Sequence, residues 1–499
     1  MTKDKQTDLE RVPTGIAGLD RILRGGFLKG GVYIVQGTPG AGKTILANQV
    51  CFRHVAAGGH AVFITLLSES HARMLQHLRP MSFYDEAAIP SSIYYVSGFN
   101  ILETDGLKGI VDLIRREIKG HRASLLVLDG FSVTEESASS EREFKKFVQE
   151  IQSHTAASEC TALLLTNGSN RAVTPEYTMV DGLIDLDNSL YGERSERGLL
   201  VRKFRGSGFL PGRHAFRITD DGIVVYPRIE AVFAKPSRRD EYRLRRISTG
   251  IRGLDEMIGG GLPAETTNGL FGPTGSGKTT SGLQFVGLST AAEPGLFFGA
   301  FESPERLRVK AASIGIDLAG MERRGEVEII WRPQGEHIMD DLGHQIIDAV
   351  RRRSIKRLVV DGLGGLMEAA VHRERISRYI SALANELRAL NATVLMTMED
   401  RQILGASMRL PIDGMSSLLE GLMLLRYAEV EGRVQRLLSI TKIRDSDFDP
   451  FLHEMKITNR GIEVGGRLSG AEAILSGYAR EPKAVPTGQL PQKRHRPEE

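Results

Sequence analysis

Cysteine is nearly absent from this chain. Among 499 residues there are two, Cys51 and Cys160, each inside a run that reads as helix or strand. Two such residues make neither a disulfide framework nor a thiolate metal cluster, and they read as buried small hydrophobes in a reducing compartment. Net charge is also scarce. Lys and Arg number 65 against 62 Asp and Glu, for +3 at pH 7, too balanced to argue for a nucleic-acid partner from charge alone. No apolar run reaches the roughly 18 residues of a membrane span, and the opening MTKDKQTDLE lacks the apolar segment of a secretory signal. A cytoplasmic location without a membrane partner is expected. The 41% hydrophobic and 25% charged content is that of a globular protein. The length exceeds one ordinary core, and a prior of about 150 residues per domain points to two or three.

What the chain does contain is one stretch written twice, GTPGAGKT at 37–44 and GPTGSGKT at 272–279. Both fit the phosphate-binding pattern that closes in Gly-Lys-Thr. Its glycines let successive backbone N–H groups converge on phosphates with no Cβ in the way, and a helix beginning at the lysine adds its N-terminal partial positive charge. In the first copy Gly37, Thr38, Pro39, Gly40, Ala41 and Gly42 form the cradle, Lys43 reaches the β- and γ-phosphates, and Thr44 offers a hydroxyl to Mg²⁺. In the second, Gly272, Pro273, Thr274, Gly275, Ser276 and Gly277 precede Lys278 and Thr279. Each copy follows a short strand-like run, YIVQ (33–36) or GLF (269–271), and precedes a helical pattern. A chance glycine-rich turn would have to arise twice in the same setting. The pair implies ATP and Mg²⁺ as cofactors.

The repeat is longer than the loops. PTGIAGLDRILRGG (13–26) recurs as STGIRGLDEMIGGG (248–261), and Thr14 to Thr249 spans the same offset as Lys43 to Lys278. Constant spacing over that distance argues for duplication of one domain. Within each copy, apolar strand runs alternate with helical patterns: AVFITL, SIYYVSG, SLLVLDG and TALLLTN in the first, GLFFGAF, VEIIWRP, RLVVDGLGG and TVLMTME in the second. Continuous apolar strands separated by helices predict an α/β fold, two tandem P-loop domains each with a mostly parallel sheet covered on both faces, ending in antiparallel segments. The expected boundaries are an extension over 1–10, a first domain over 11–230, a linker over 231–246, a second domain over 247–466, and a tail over 467–499 expected to be disordered. The linker lies in a basic, proline-containing stretch, 227–247.

Asp129 and Asp361 each end an apolar run, LLVLD and LVVD, which puts a carboxylate at the edge of a buried strand where open α/β sheets bind ligands. With Thr44 and Thr279 they would hold Mg²⁺. ATP hydrolysis also needs a carboxylate to orient or deprotonate water. TLLSES supplies Glu69, and AFESPE supplies Glu302 with Glu305 a turn further on; an acid at a helix start is the ordinary alternative. The late hairpins carry Lys203 with Arg205 in VRKFRGS and Lys442 with Arg444 in ITKIRDS. Alternation sets each pair on one strand face, and no anion of their own domain is evident from the sequence. A neighbouring subunit's γ-phosphate would supply one, as an arginine finger does; a charged edge that opposes aggregation is the alternative.

The doubled unit, the PTGIxGLD and STGIxGLD lead-ins, the cation pairs and the YGER turn at 191–194 together resemble the KaiC family of circadian-clock ATPases within the RecA superfamily, over about residues 11–466. The resemblance implies tandem RecA-type domains in a double-ring homohexamer, ATP bound between subunits, a first ring acting mainly as an ATPase, and a second adding serine/threonine autokinase activity. It implies regulatory protein partners of unidentified kind. The family's phosphoacceptors are adjacent hydroxyl residues shortly before the late hairpin, a place held here by Ser416 and Ser417. Three features depart from the pattern. Each unit has one glutamate after its second strand where the family has two, IRDS stands where RGS is usual, and the tail matches no family tail. Two other classes remain open. A DNA-dependent recombinase of the same superfamily would use the loops at 166–177 and 399–410, which hold few cations, so nucleic acid is not the expected partner. A nucleotide-assembled scaffold with little turnover would tolerate a missing glutamate.

Overall fold

Strands buried from end to end organise each half of the chain. Leu125–Asp129 and Ala61–Thr65 are buried at every position, as are Arg357–Asp361 and Gly295–Gly299 in the second half. Such strands are stable only between two covering layers. The structure, a computed structural model, describes residues 9–67, 71–167, 178–238, 245–400, 418–430 and 433–468.

The chain divides into two compact units, residues 1–235 with 340–344, and 236–339 with 345–499. Each is built on one nine-stranded sheet. In the first, Val32–Gly37 lies centrally between Thr161–Thr166 and Gly182–Tyr191, both parallel to it. Leu125–Asp129, Ala61–Thr65 and Ile93–Ser97 extend the parallel part on one side. On the other side Arg194–Phe204, Arg213–Thr219 and Gly222–Tyr226 add an antiparallel wing. Alternate residues of the same strands serve opposite layers. Tyr33, Val35, Phe63 and Val127 join the core beneath helix Lys43–Ala56, while Ile34, Val62, Ile64 and Leu126 join the one beneath helices Phe99–His121 and Glu141–Ala157.

The second unit has the same strand order around Thr267–Gly272, with Thr393–Glu399 and Gly421–Val430 as its parallel neighbours and an antiparallel wing running to Gly461–Arg467. Both halves are therefore α/β units with a mostly parallel sheet, as the strand pattern predicts. Helix Phe99–His121 is kinked, because Gly106 at φ 63° and ψ −157° joins two helical segments. Among the described residues no helix is long and apolar enough to cross a membrane.

The repeated lead-in has a packing explanation. Asp20 accepts from the backbone N–H of Thr14 at 2.7 Å, and Asp255 from that of Thr249 at 2.8 Å, tying each turn to the helix that follows. A Cβ on Gly18 would come within 2.0 Å of the Val225 carbonyl oxygen, and one on Gly253 within 2.7 Å of Val464 Cβ, so each helix seats on its antiparallel wing only with glycine there.

Candidate functional site

Each central strand runs into its phosphate loop at Gly37 or Gly272, and each following helix begins at the lysine, Lys43–Ala56 or Lys278–Val286. Gly42 and Gly277 hold φ near 106° and 105°, Gly40 and Gly275 near 77° and 70°, a region that side-chain-bearing residues rarely enter. Two turns of this kind aim consecutive N–H groups into one concavity, which fits a polyphosphate. At the loop's entrance a Cβ on Gly37 would meet the Leu186 carbonyl oxygen at 2.3 Å, so the close approach of strand to loop also demands glycine.

The lysines fold over their loops. Lys278 Nζ donates to the carbonyl oxygens of Gly272 at 2.8 Å and Pro273 at 2.7 Å. Lys43 Nζ donates to Gly37 at 2.6 Å, to Thr38 at 3.2 Å and to Asn167 Oδ1 at 3.1 Å. Burial lowers the pKa of both ammonium groups, and nearby carboxylates only partly oppose it. A desolvated cation beside a ring of N–H donors gains most from an anion.

Thr44 Oγ1 donates to Asp129 Oδ2 at 3.2 Å, and Thr279 Oγ1 to Asp361 Oδ2 at 2.9 Å. Both aspartates are buried, at 8% and 6% exposure. Asp361 also accepts from the Thr397 hydroxyl, yet burial still pushes its carboxyl above the usual range. A hydroxyl and a buried carboxylate beside a phosphate cradle are hard oxygen donors of the kind Mg²⁺ takes.

In the second unit these groups line a cavity of about 460 Å³, which Glu302, Lys310 and Glu399 also reach. Glu302 Oε1 accepts from the Lys310 ammonium, so it stands in an ion pair inside the cavity. Glu305 is exposed on the helix Pro304–Ser313 and pairs with Arg308 at 3.4 Å. Glu69, the counterpart of Glu302 in the first unit, lies outside the described residues, as do Ser416 and Ser417.

The cation pairs sit at the other end of the sheet. Lys203 is level with Leu183, which is level with Ile34, and Lys442 is level with Leu422, itself level with Gly269; both positions precede the loop-bearing end of the central strand by three residues. The pairs thus lie along their strands at a distance from their own phosphate loops. They also have partners in their own unit that the sequence did not reveal. Lys203 donates to the Thr178 carbonyl at 3.0 Å, and Arg205 to those of Thr178 and Met179 at 2.6 and 3.2 Å. Lys442 donates to the Leu419 carbonyl at 2.7 Å, and Arg444 lies 3.8 Å from the buried carboxylate of Glu420. Burial, and then the arginine beside it, lowers the pKa of each lysine.

Further residues reach the loops without a motif to mark them. Arg197 donates to the Gly40 carbonyl at 2.7 Å and Arg436 to that of Gly275 at 3.3 Å. The two arginines hold matching places six residues before Lys203 and Lys442, and comparing the repeats position by position would have found them. Asn167 just follows, and Glu399 ends, the strand next to each loop, and they are level with Gly37 and Gly272 only through sheet register.

The model of the KaiC ATPase family matches residues 12–230 and again 247–469. Among curated relatives, a circadian clock oscillator protein KaiC of Parathermosynechococcus lividus is 25% identical over 488 residues, covering 94% of this chain and 89% of the relative. The corresponding protein of Prochlorococcus marinus subsp. pastoris is 26% identical over 96% of this chain and 95% of its own, and the circadian clock protein KaiC3 of Synechocystis sp. is 25% identical over 95% of each. With both halves matched and each half carrying a full phosphate loop, the chain belongs to the KaiC family of ATPases.

Proposed function

We propose that the protein binds two ATP molecules per chain, hydrolyses them between subunits of a homohexamer, and acts as a regulatory switch whose second unit also transfers phosphate to Ser416 or Ser417. The observation that carries this is the doubled arrangement of lysine, threonine and buried aspartate around each phosphate loop: Lys43, Thr44 and Asp129, and Lys278, Thr279 and Asp361. Mg²⁺ held by the threonine and aspartate would neutralise charge on the phosphates. The lysines bind the terminal phosphates, and a carboxylate at the rim takes a proton from the attacking water; Glu69 is the candidate in the first unit and Glu302 in the second. Lys203, Arg205, Lys442 and Arg444 lie at a distance along the sheet from their own loops, which supports a role at a neighbour's ATP. Relatives bearing the name of circadian clock oscillator proteins support a switching role.

A second reading, a scaffold assembled by ATP with little turnover, draws on the engagement of Glu302 by Lys310. Incubation of the purified chain with Mg-ATP separates the two. Steady phosphate release, a ring-sized native mass and phosphate on the 410–426 peptide are expected. Bound ATP without release would favour the scaffold, and release without modification of that peptide would remove the kinase activity.

A further inference from the structure

In the second unit the sheet brings to the phosphate loop a carboxylate that the first unit lacks. Strand Thr161–Thr166 pairs with the central strand so that Gln36 is level with Thr166, and the next residue, Asn167, stands level with Gly37. There its amide oxygen accepts from Lys43 at 3.1 Å. Strand Thr393–Glu399 pairs in the same register, with Gly272 level with Glu399. Glu399 lines the cavity together with Lys278, Thr279 and Asp361, and it is the largest carboxylate influence on the Lys278 ammonium, ahead of Asp361 and Asp400. An amide in the first unit is thus an acid in the second.

The two acids at this rim differ in their engagement. Glu302 already accepts a hydrogen bond from Lys310. Taking a proton there would remove the ion pair and leave an ammonium in the cavity beside a neutral acid. Glu399 is exposed and has no side-chain hydrogen bond or ion pair among the described residues. It keeps both carboxylate oxygens available on the side of the loop where the terminal phosphate would lie.

We infer that Glu399, rather than Glu302, is the proton acceptor of the second unit. The inference rests on the ATP-hydrolysing reading of that site and names its base. As the water oxygen bonds to the γ-phosphorus, the bond from that phosphorus to the β,γ-bridging oxygen breaks. ADP leaves with the electron pair, and the water proton passes to the Glu399 carboxylate, which returns it to solvent. A serine hydroxyl presented to the same phosphate would lose its proton to the same acceptor. Asn167 cannot accept a proton in this way, so the first unit must use a different group. Glu302 with Lys310 then serves as a fixed pair that orients the cavity rather than a base.

The test uses the full chain with Lys43→Ala to silence the first site. Phosphate release from γ-labelled ATP and binding of a fluorescent ATP analogue are measured for that parent and for added Glu399→Gln, Glu399→Asn or Glu302→Gln. Both Glu399 variants should keep nucleotide binding and lose about 100-fold in release, the scale of a lost general base, while Glu302→Gln should lose less than about tenfold. Release within about threefold of the parent for Glu399→Gln overturns the assignment, as does loss of nucleotide binding in both Glu399 variants. A parent that binds ATP and releases no phosphate defeats the hydrolytic reading itself, and Glu399 falls with it. That result is visible before any Glu399 variant is made.

Discussion

Beside the first phosphate loop stands an amide, Asn167, that accepts from Lys43; beside the second, at the same register, stands the acid Glu399. The first unit's cation pair donates to backbone carbonyls, whereas in the second Arg444 faces the buried carboxylate of Glu420. At the corresponding place before the strand, Asp181 of the first unit accepts from the Val32 N–H at 2.9 Å, and Glu420 accepts from the Thr267 N–H at 2.8 Å. The longer glutamate keeps that backbone bond and still reaches Arg388 and Arg444. The two units share the residues of the phosphate-loop pattern and differ in the charges around them. The phosphate loop with its lysine, threonine and buried aspartate is common to both units, and the side chains at its rim differ.

The most severe way to break this comparison is to remove one lysine at a time. Lys43→Ala and Lys278→Ala should each abolish one class of ATP site and leave the other, so nucleotide bound per chain, measured by equilibrium titration, falls by half in either variant. A parent that binds only one nucleotide per chain would mean that one of the two loops does not bind. The effect is large because each ammonium is desolvated beside its loop.

The cation pairs should give a smaller and unequal effect. Arg205→Ala should weaken ATP-dependent assembly about tenfold, read as the protein concentration at which the ring-sized species appears on size exclusion. Arg444→Ala should weaken it less, because Glu420 already competes for that guanidinium. Equal effects would show that the Glu420 contact does not matter in the assembled state.

The mildest test concerns Asp361. Its folded-state pKa is raised by burial, so its ionisation penalty is absent below the ordinary carboxylate range and grows as pH rises through the raised value. Without Mg-ATP, Asp361→Asn should match the parent near about pH 4 and be more stable by ~1 kcal/mol near about pH 7, measured by thermal unfolding. Saturating Mg-ATP should reverse the order, because only the parent retains the full binding site. A variant less stable than the parent at neutral pH without nucleotide would place the dominant cost in the lost hydrogen bonds from Thr279 and Thr397.

The sequence by itself determined the phosphate loops, the aspartates that end buried strands, the doubled unit and its α/β class. These are legible because each depends on short-range rules: glycine where φ is positive at Gly42 and Gly277, apolar runs where a strand is covered on both faces, constant spacing where a domain is copied. Only the tertiary structure decided which distant residues share the rim. Lys43 and Asn167 are 124 residues apart in the chain and meet because two parallel strands align in one register. Glu399 reaches Lys278 by the same route, and no local pattern marks it. Pairing of Glu302 with Lys310 across a strand-to-helix connection, and of Arg444 with Glu420 across a hairpin, likewise depends on how the elements pack. A charge's partner is a three-dimensional fact, and the sequence carries it only through the fold it specifies.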